Sequence, residues 1–247
     1  MNNGLIAIIG GTGLTEYDGL EVEKTVTVKT QLGSPSSDLV FGRLYEQDVV
    51  FLARHGHPHS VPPHKVNYRA NILALKEAGV TQIIAVNAVG GITPSMVAGA
   101  ICIPDQIIDY THGRLDTFFD GEFKSLDHVD FSYPYQQDLS EQLFKASHSF
   151  DLNIHLGGVY GATQGPRLET IAEINRMEKD GCDLVGMTGM PEAILARELN
   201  IPYACLALVV NPAAGKSEEL ITMDDIRGVI SIGMVNIKRI ISQYLKY

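Results

Sequence analysis

Tryptophan is absent from this chain of 247 residues, cysteine occurs three times, and no stretch reaches the roughly 18 consecutive apolar residues that a membrane-crossing helix needs. The cysteines, Cys102, Cys182 and Cys205, are odd in number, lack metal-ligand spacing and sit in apolar contexts. They exclude a disulfide framework and read as small core residues in a reducing compartment. Basic residues are also scarce, 19 Lys and Arg against 29 Asp and Glu for a net charge of −10, which excludes diffuse attraction to nucleic acid or an anionic membrane. The start, Met1-Asn2-Asn3-Gly4, lacks the positive region of a secretory leader, and the apolar run behind it stops at Ile9, so a cytoplasmic protein is expected. No Pro/Gly-rich linker, charge block, internal repeat or low-complexity tract divides the chain, and one domain over residues 1–247 is the expectation.

What is present is a series of short, continuously apolar runs. Leu5 to Ile9 is closed by glycine, and similar runs recur at Val49 to Ala53, Gln82 to Asn87, Ile101 to Ile108, Leu184 to Met187 and Tyr203 to Asn211. Continuous rather than alternating apolar strands belong to parallel sheets buried on both faces. Helical patterns lie between them, at Val66 to Ala78 with Gly79 as stop, Thr170 to Lys179 stopped by Gly181, and Pro191 to Leu199. A last helix is expected from Thr222 as N-cap, with Asp225 three residues on. The class is α/β, a mostly parallel mixed sheet flanked by helices. Thr111 to Asp138, rich in Asp, His, Phe and Tyr, fits no period, and such a stretch in a compact domain is more often functional or interfacial than idle.

Four of the eight histidines and an arginine fall in Arg54-His55-Gly56-His57-Pro58-His59-Ser60-Val61-Pro62-Pro63-His64, directly after a strand. A strand end is where open α/β sheets hold ligands, and this cluster offers positive charge and hydrogen-bond donors in an otherwise acidic chain. A small anion is the natural ligand. Two alternatives remain open on the residues: a metal site using the His55/His57 H-x-H pair, for which the other strand ends offer only Asn87, Asp109 and Asn211, and solvated loop histidines without a role. Gly10-Gly11-Thr12-Gly13 closes the first strand and supplies either a plain turn or a nest of backbone N–H groups for an anion, with the Thr12 hydroxyl as a further donor. Asn87-Ala88-Val89-Gly90-Gly91 and Met187-Thr188-Gly189-Met190 repeat the theme at two more strand ends, although Thr188 also suits a helix cap. Glu169, in Gly165-Pro166-Arg167-Leu168-Glu169-Thr170, is either a helix-dipole partner or a ligand-reading carboxylate. Asn211 ends the most apolar strand with an amide able to donate and accept.

Five ordered segments, I-I-G-G-T-G-L at Ile8 to Leu14, F-L-A-R-H-G at Phe51 to Gly56, V-N-Y-R-A-N-I-L-A-L-K at Val66 to Lys76, Q-G-P-R-L-E-T at Gln164 to Thr170 and G-M-T-G-M-P-E at Gly186 to Glu192, resemble the trimeric purine nucleoside phosphorylases and methylthioadenosine phosphorylases. The resemblance spans nearly the whole chain. It implies phosphorolysis of a purine nucleoside to free base and a ribose 1-phosphate, with inorganic phosphate as co-substrate and neither metal nor organic cofactor. It further implies a homotrimer, with His128 able to reach a neighbouring subunit's site. Carried over by motif, Thr12, Arg54, His55, the backbone at Asn87 and Ala88, and Thr188 would hold phosphate. Met187 would lie against the ribose, and Leu168, Asn211, Pro212 and Ala213 would bind the nucleoside.

Specificity turns on three departures. Family members that take adenine nucleosides have T-D-Y-D at the end of the late strand, where this chain has Val210-Asn211-Pro212-Ala213. They have serine after G-P-R-F, where this chain has Glu169. A carboxylate accepts the N1–H of a 6-oxopurine and is repelled by the lone pair adenine presents there. Members that act on inosine place a histidine near the start of the final helix, and Met223 stands there; methionine packs against a thioether and offers nothing to a hydroxyl. A 6-oxopurine with an apolar 5′ group describes S-methyl-5′-thioinosine. The run A-L-V-V-N-P-A-A-G at Ala207 to Gly215 is similar to bacterial family members that take that nucleoside.

Overall fold

The continuous apolar runs become strands whose two faces are both covered. Alternate side chains of one strand enter different cores: Ala7 and Ile9 go to one face, Ile6 and Ile8 to the other, and Ile83 and Ala85 oppose Ile84 and Val86 in the same way. The computed structural model describes residues 4–11, 19–218 and 223–246, the side chains of Met223 and Asp225 excepted. Thr12 and the Thr222 cap lie outside the described residues.

Among the described residues eleven strands form one sheet. Its centre is parallel: β1 (Leu5–Gly10) lies between β4 (Gln47–Ala53) and the long β5 (Val80–Gly91), and β11 (Tyr203–Pro212) runs along the other edge of β5. Antiparallel β2 (Glu21–Val26) and β3 (Leu39–Leu44) extend the sheet beyond β4. Beyond the far end of β5 lie β10 (Leu184–Gly186), β9 (Val159–Ala162) and β7 (Gln106–Asp109), while β6 (Ile101–Ile103) and β8 (Ile154–Leu156) continue from β11. Helices α1 (Tyr68–Glu77) and α4 (Gly189–Glu198) cover one face; α2 (Gln137–Ser147) and α5 (Met223–Tyr244) cover the other, and α3 (Ile171–Lys179) packs on a smaller cluster with Val185 and Ala213. No helix among the described residues is long and apolar enough to cross a membrane.

The feature that makes a site is a gap along β5. β1 pairs with it as far as Ala85, and β10 pairs only with Gly90 and Gly91. Between those pairings the edge has no strand partner among the described residues, and Ala88 is exposed in an otherwise buried stretch. Opposite this opening β11 carries a bulge between Val209 and Asn211, which sets Asn211 against Gly90. Bulges of this kind re-aim a side chain.

Several expectations are corrected. The single strand Ile101 to Ile108 is broken into β6 and β7 at Pro104-Asp105, because proline brings no N–H to the ladder and the Asp105 carboxylate takes the Gly158 N–H at 2.9 Å. The helix expected to open at Pro191 begins at Gly189, with Met190 and Pro191 non-helical at a kink. α1 starts at Tyr68 rather than Val66, because the Asn67 side chain accepts from the Ala70 N–H. The β2–β3 pair and α2 were not anticipated. β2, Glu-Val-Glu-Lys-Thr-Val, is exposed over most of its length and carries no apolar period. The turn from β3 to β4 uses Tyr45 and Glu46 at φ 51° and 64°, a hairpin conformation that asparagine and glycine usually signal.

Candidate active site

Arg54 leaves the end of β4 and turns inward beneath the opening. Its side chain is 2% exposed, and its fork meets the Glu192 carboxylate at 2.7 Å through both Nε and Nη2. Nη1 donates to the Val86 carbonyl at 3.0 Å, capping the unpartnered edge of β5, and Nη2 also donates to Asn87 Oδ1 at 3.1 Å. Asn87 in turn donates from Nδ2 to Thr188 Oγ1 at 3.1 Å and to Tyr160 Oη at 3.2 Å, and Tyr203 donates to Glu192 Oε1 at 3.0 Å. This chain of bonds joins the end of β4 to β5, β9, α4 and β11. Burial works against the guanidinium, but the adjacent Glu192 charge more than offsets it, and the side chain stays protonated.

The Arg54-to-His64 segment is therefore less cationic than its composition suggests. Arg54 is neutralised by Glu192. His55 is half-buried, its Nδ1 bonds the Val61 carbonyl at 2.9 Å, and its ring stacks on His59 at 4.5 Å. Burial, with Arg54 beside it, pulls the His55 imidazole down to about 4, so at neutral pH Nδ1–H donates to Val61 and Nε2 is an acceptor. His57 and His59 are exposed. Among the described residues no three His, Cys, Asp or Glu side chains gather into a metal-ligand set.

Thr188 precedes α4 but makes no side-chain cap to it. Its Oγ instead accepts from Asn87, which leaves its O–H free to donate toward the opening. Met187 is half-buried next to it. Gly165 sits at φ +58°, and a Cβ there would run into Met187 Sδ, so the turn carrying Leu168 and Glu169 crosses Met187 closely only because residue 165 is glycine. Glu169 Oε1 accepts from Thr163 Oγ1 at 2.6 Å, and both line a cleft of about 700 Å³ with Thr111, His112 and Gly165. Leu168 is 48% exposed on the same turn. On the facing strand Asn211 donates from Nδ2 to the Pro212 carbonyl at 2.7 Å, which leaves one Nδ2–H and Oδ1 unspent; Ala213 is buried behind it, its N–H on the Gly91 carbonyl at 2.7 Å.

The fold thus brings Arg54, His55, Met187 and Thr188, just beyond the ends of β4 and β10, beside Asn87 and Ala88 on the open edge of β5, which runs on to Gly91 instead of ending at Asn87 as expected, with Glu169 and Asn211 on the segments that follow β9 and end β11. His128 is exposed in the irregular segment before α2, its N–H on the Asp127 carboxylate. The Met223 side chain and Thr12 lie outside the described residues. Sequence reasoning missed Glu192, Tyr160, Tyr203, Thr163 and Arg114. Glu192 carried a signal: a carboxylate in the apolar run Pro191-Glu192-Ala193-Ile194-Leu195 must find a buried partner or leave the core.

Comparison with known proteins agrees with this geometry. The chain is 54% identical over 239 residues, 97% of each chain, to the probable S-methyl-5′-thioinosine phosphorylase of Pseudomonas syringae pv. tomato. It is 47% identical over 226 residues to the 6-oxopurine nucleoside phosphorylase of Pyrococcus furiosus, covering 90% of this chain and 84% of that one. Among solved structures, methylthioadenosine phosphorylase from Schistosoma mansoni in complex with adenine superposes with a TM-score of 0.91 at 31% identity, over 97% of this chain and 90% of that one. Residues 5–246 match the phosphorylase superfamily, and with the strand-end site those motifs build, the chain belongs to that family.

Proposed function

We propose that the chain cleaves the N-glycosidic bond of S-methyl-5′-thioinosine with inorganic phosphate, giving hypoxanthine and 5-methylthioribose 1-phosphate. The observation that carries the base assignment is a carboxylate, Glu169, held by Thr163 on the turn that crosses Met187. It accepts N1–H of a 6-oxopurine, and leaving it mispaired against adenine costs about 1–3 kcal/mol. Asn211 offers its remaining Nδ2–H to N7, assisting departure of the base. Relatives at 47–54% identity named for S-methyl-5′-thioinosine support the same reading.

Phosphate is held by Thr12, the remaining Nη1–H of Arg54, His55, the backbone at Asn87 and Ala88, and the Thr188 hydroxyl. Glu192 locks the Arg54 fork in one orientation, and the neutral His55 accepts from a protonated phosphate oxygen. Phosphate is the nucleophile, and its charge beneath the sugar stabilises the oxocarbenium-like transition state as the bond to the base stretches. Positioning and electrostatics do this without a covalent enzyme intermediate. No metal or organic cofactor takes part. Met223 packs on the 5′-methylthio group, and a cytoplasmic homotrimer in which His128 approaches a neighbouring site completes the proposal.

The likeness to the Pyrococcus 6-oxopurine enzyme favours one second reading, an inosine or guanosine phosphorylase. Release of free base with and without phosphate, measured side by side on methylthioinosine, methylthioadenosine and inosine, separates them. The proposal expects strict phosphate dependence and methylthioinosine first. Equal rates on methylthioadenosine would overturn the base assignment, and equal rates on inosine the assignment of the 5′ group.

A further inference from the structure

Arg114 lies half-buried in the irregular segment between β7 and α2, and its guanidinium makes six hydrogen bonds without meeting a carboxylate among the described residues. In a chain with ten more acids than bases, an acidic partner would be easy to supply. Four of the acceptors are instead main-chain carbonyls: Thr163 at 3.1 Å, Gln164 at 2.9 Å, Met187 at 2.8 Å and Met190 at 2.6 Å. Gln164 Oε1 and Tyr68 Oη complete the set, and the guanidinium sits 5.4 Å over the Tyr68 ring.

These carbonyls belong to two segments that leave adjacent strands. β9 and β10 are paired as far as Ala162 and Gly186, and the last main-chain bond between their exits is Thr163 N–H to the Gly186 carbonyl at 2.8 Å. Beyond it the ladder stops: one segment goes through Gly165 to Glu169, and the other through Met187 to the kink of α4. Arg114 continues the connection where backbone pairing ends. A planar fork with five N–H groups can span both segments, whereas a lysine ammonium, with three donors on one atom, cannot. Thr188, though it lies between Met187 and Met190, is also held from below by Asn87 and the Arg54–Glu192 pair.

We propose that Arg114 is a positioning residue for the nucleoside half of the site, fixing the separation between the Glu169 turn and Met187 while leaving the phosphate half to the Arg54 network. This rests on the reading that Glu169 and Met187 face base and sugar. Full-length Arg114→Lys and Arg114→Ala are assayed with nucleoside varied at saturating phosphate, then phosphate varied at saturating nucleoside, alongside thermal unfolding.

A misplacement on the order of 1 Å costs about 100-fold, so nucleoside kcat/KM is expected to fall by about that factor in both variants, with phosphate KM within about threefold of wild type. Added methylguanidinium is expected to restore about tenfold of the loss in Arg114→Ala and nothing in Arg114→Lys. If only the lysine variant folds, its split between the two substrates decides. Retained nucleoside kcat/KM, or equal losses on both substrates with a lowered melting temperature and no rescue, would overturn the inference. Wild-type protein that phosphorolyses no purine nucleoside defeats the reading of the site and the inference with it. Active wild type with indifferent variants defeats the inference alone.

Discussion

Replacing Glu192 by glutamine removes one charge from the buried network and nearly no volume. Glu192 is 0% exposed and takes three hydrogen bonds, two from Arg54 at 2.7 Å and one from Tyr203 at 3.0 Å. Glutamine keeps one acceptor oxygen, turns an NH2 toward a donor, and leaves the Arg54 cation buried without a counter-charge. Breaking a buried pair from one side costs about 3–5 kcal/mol, since a guanidinium does not escape by losing its proton. For a chain of this size each kcal/mol lowers the melting temperature by roughly 2–4 °C, so a fall of roughly 6–20 °C is expected. The assay is calorimetric unfolding in phosphate-free buffer, because a ligand that binds the folded state would mask the loss. The double variant Arg54→Met with Glu192→Leu removes both charges and should recover part of the loss, short of about 1 kcal/mol for each group left bare, the acceptors at Val86 and Asn87 and the Tyr203 hydroxyl. It should nonetheless raise the phosphate KM at least about tenfold by deleting a charge-assisted donor. A loss below about 1 kcal/mol in Glu192→Gln, or a double variant as unstable as the single one, would refute the account of Arg54 as a charge held by Glu192.

Base choice should shift toward adenine nucleosides in Asn211→Asp, whose carboxyl can carry a proton to N7, and in Glu169→Ser, which removes repulsion at N1; competition assays on the two methylthio nucleosides read the ratio, and an unchanged ratio in both variants counts against the base assignment. Met223→His should narrow a methylthioinosine-over-inosine preference of about 10- to 200-fold, chiefly by improving inosine, and no shift would make Met223 a packing residue only. His55 yields a pH prediction. Its folded value of about 4 lies below the ordinary 6.5, so the unfolded chain takes up a proton that the folded chain refuses. Stability present above pH 6.5 is lost as pH falls toward 4, by at most on the order of 3 kcal/mol. Denaturant unfolding at neutral and mildly acidic pH should therefore show a smaller loss in His55→Gln than in wild type, and equal losses would refute the assignment.

The parallel core was legible because it is a local property of the chain. Runs such as Leu5 to Ile9 and Tyr203 to Val210 are apolar at every position, and only a strand covered on both faces accepts that. Gly10, Arg54, Met187 and Asn211 could be placed at or near strand ends for the same reason, since each follows or closes such a run, whereas Asn87 lies inside β5, whose pairing with β11 carries the strand on to Gly91. The exposed strand β2 and the turn at Tyr45-Glu46 were not legible, because partners elsewhere in the sheet, rather than their own composition, hold them in place. The electrostatics of the site were decided in tertiary structure. Arg54 reads as a free cation until α4 brings Glu192, 138 residues away, into its fork, and Asn87 reads as a ligand donor until its amide is found joining Arg54 to Thr188. Local sequence determines which residues reach the ends of buried strands; which of their charges remain available to a ligand depends on long-range pairing, because a buried charge is neutralised by whatever the fold packs against it.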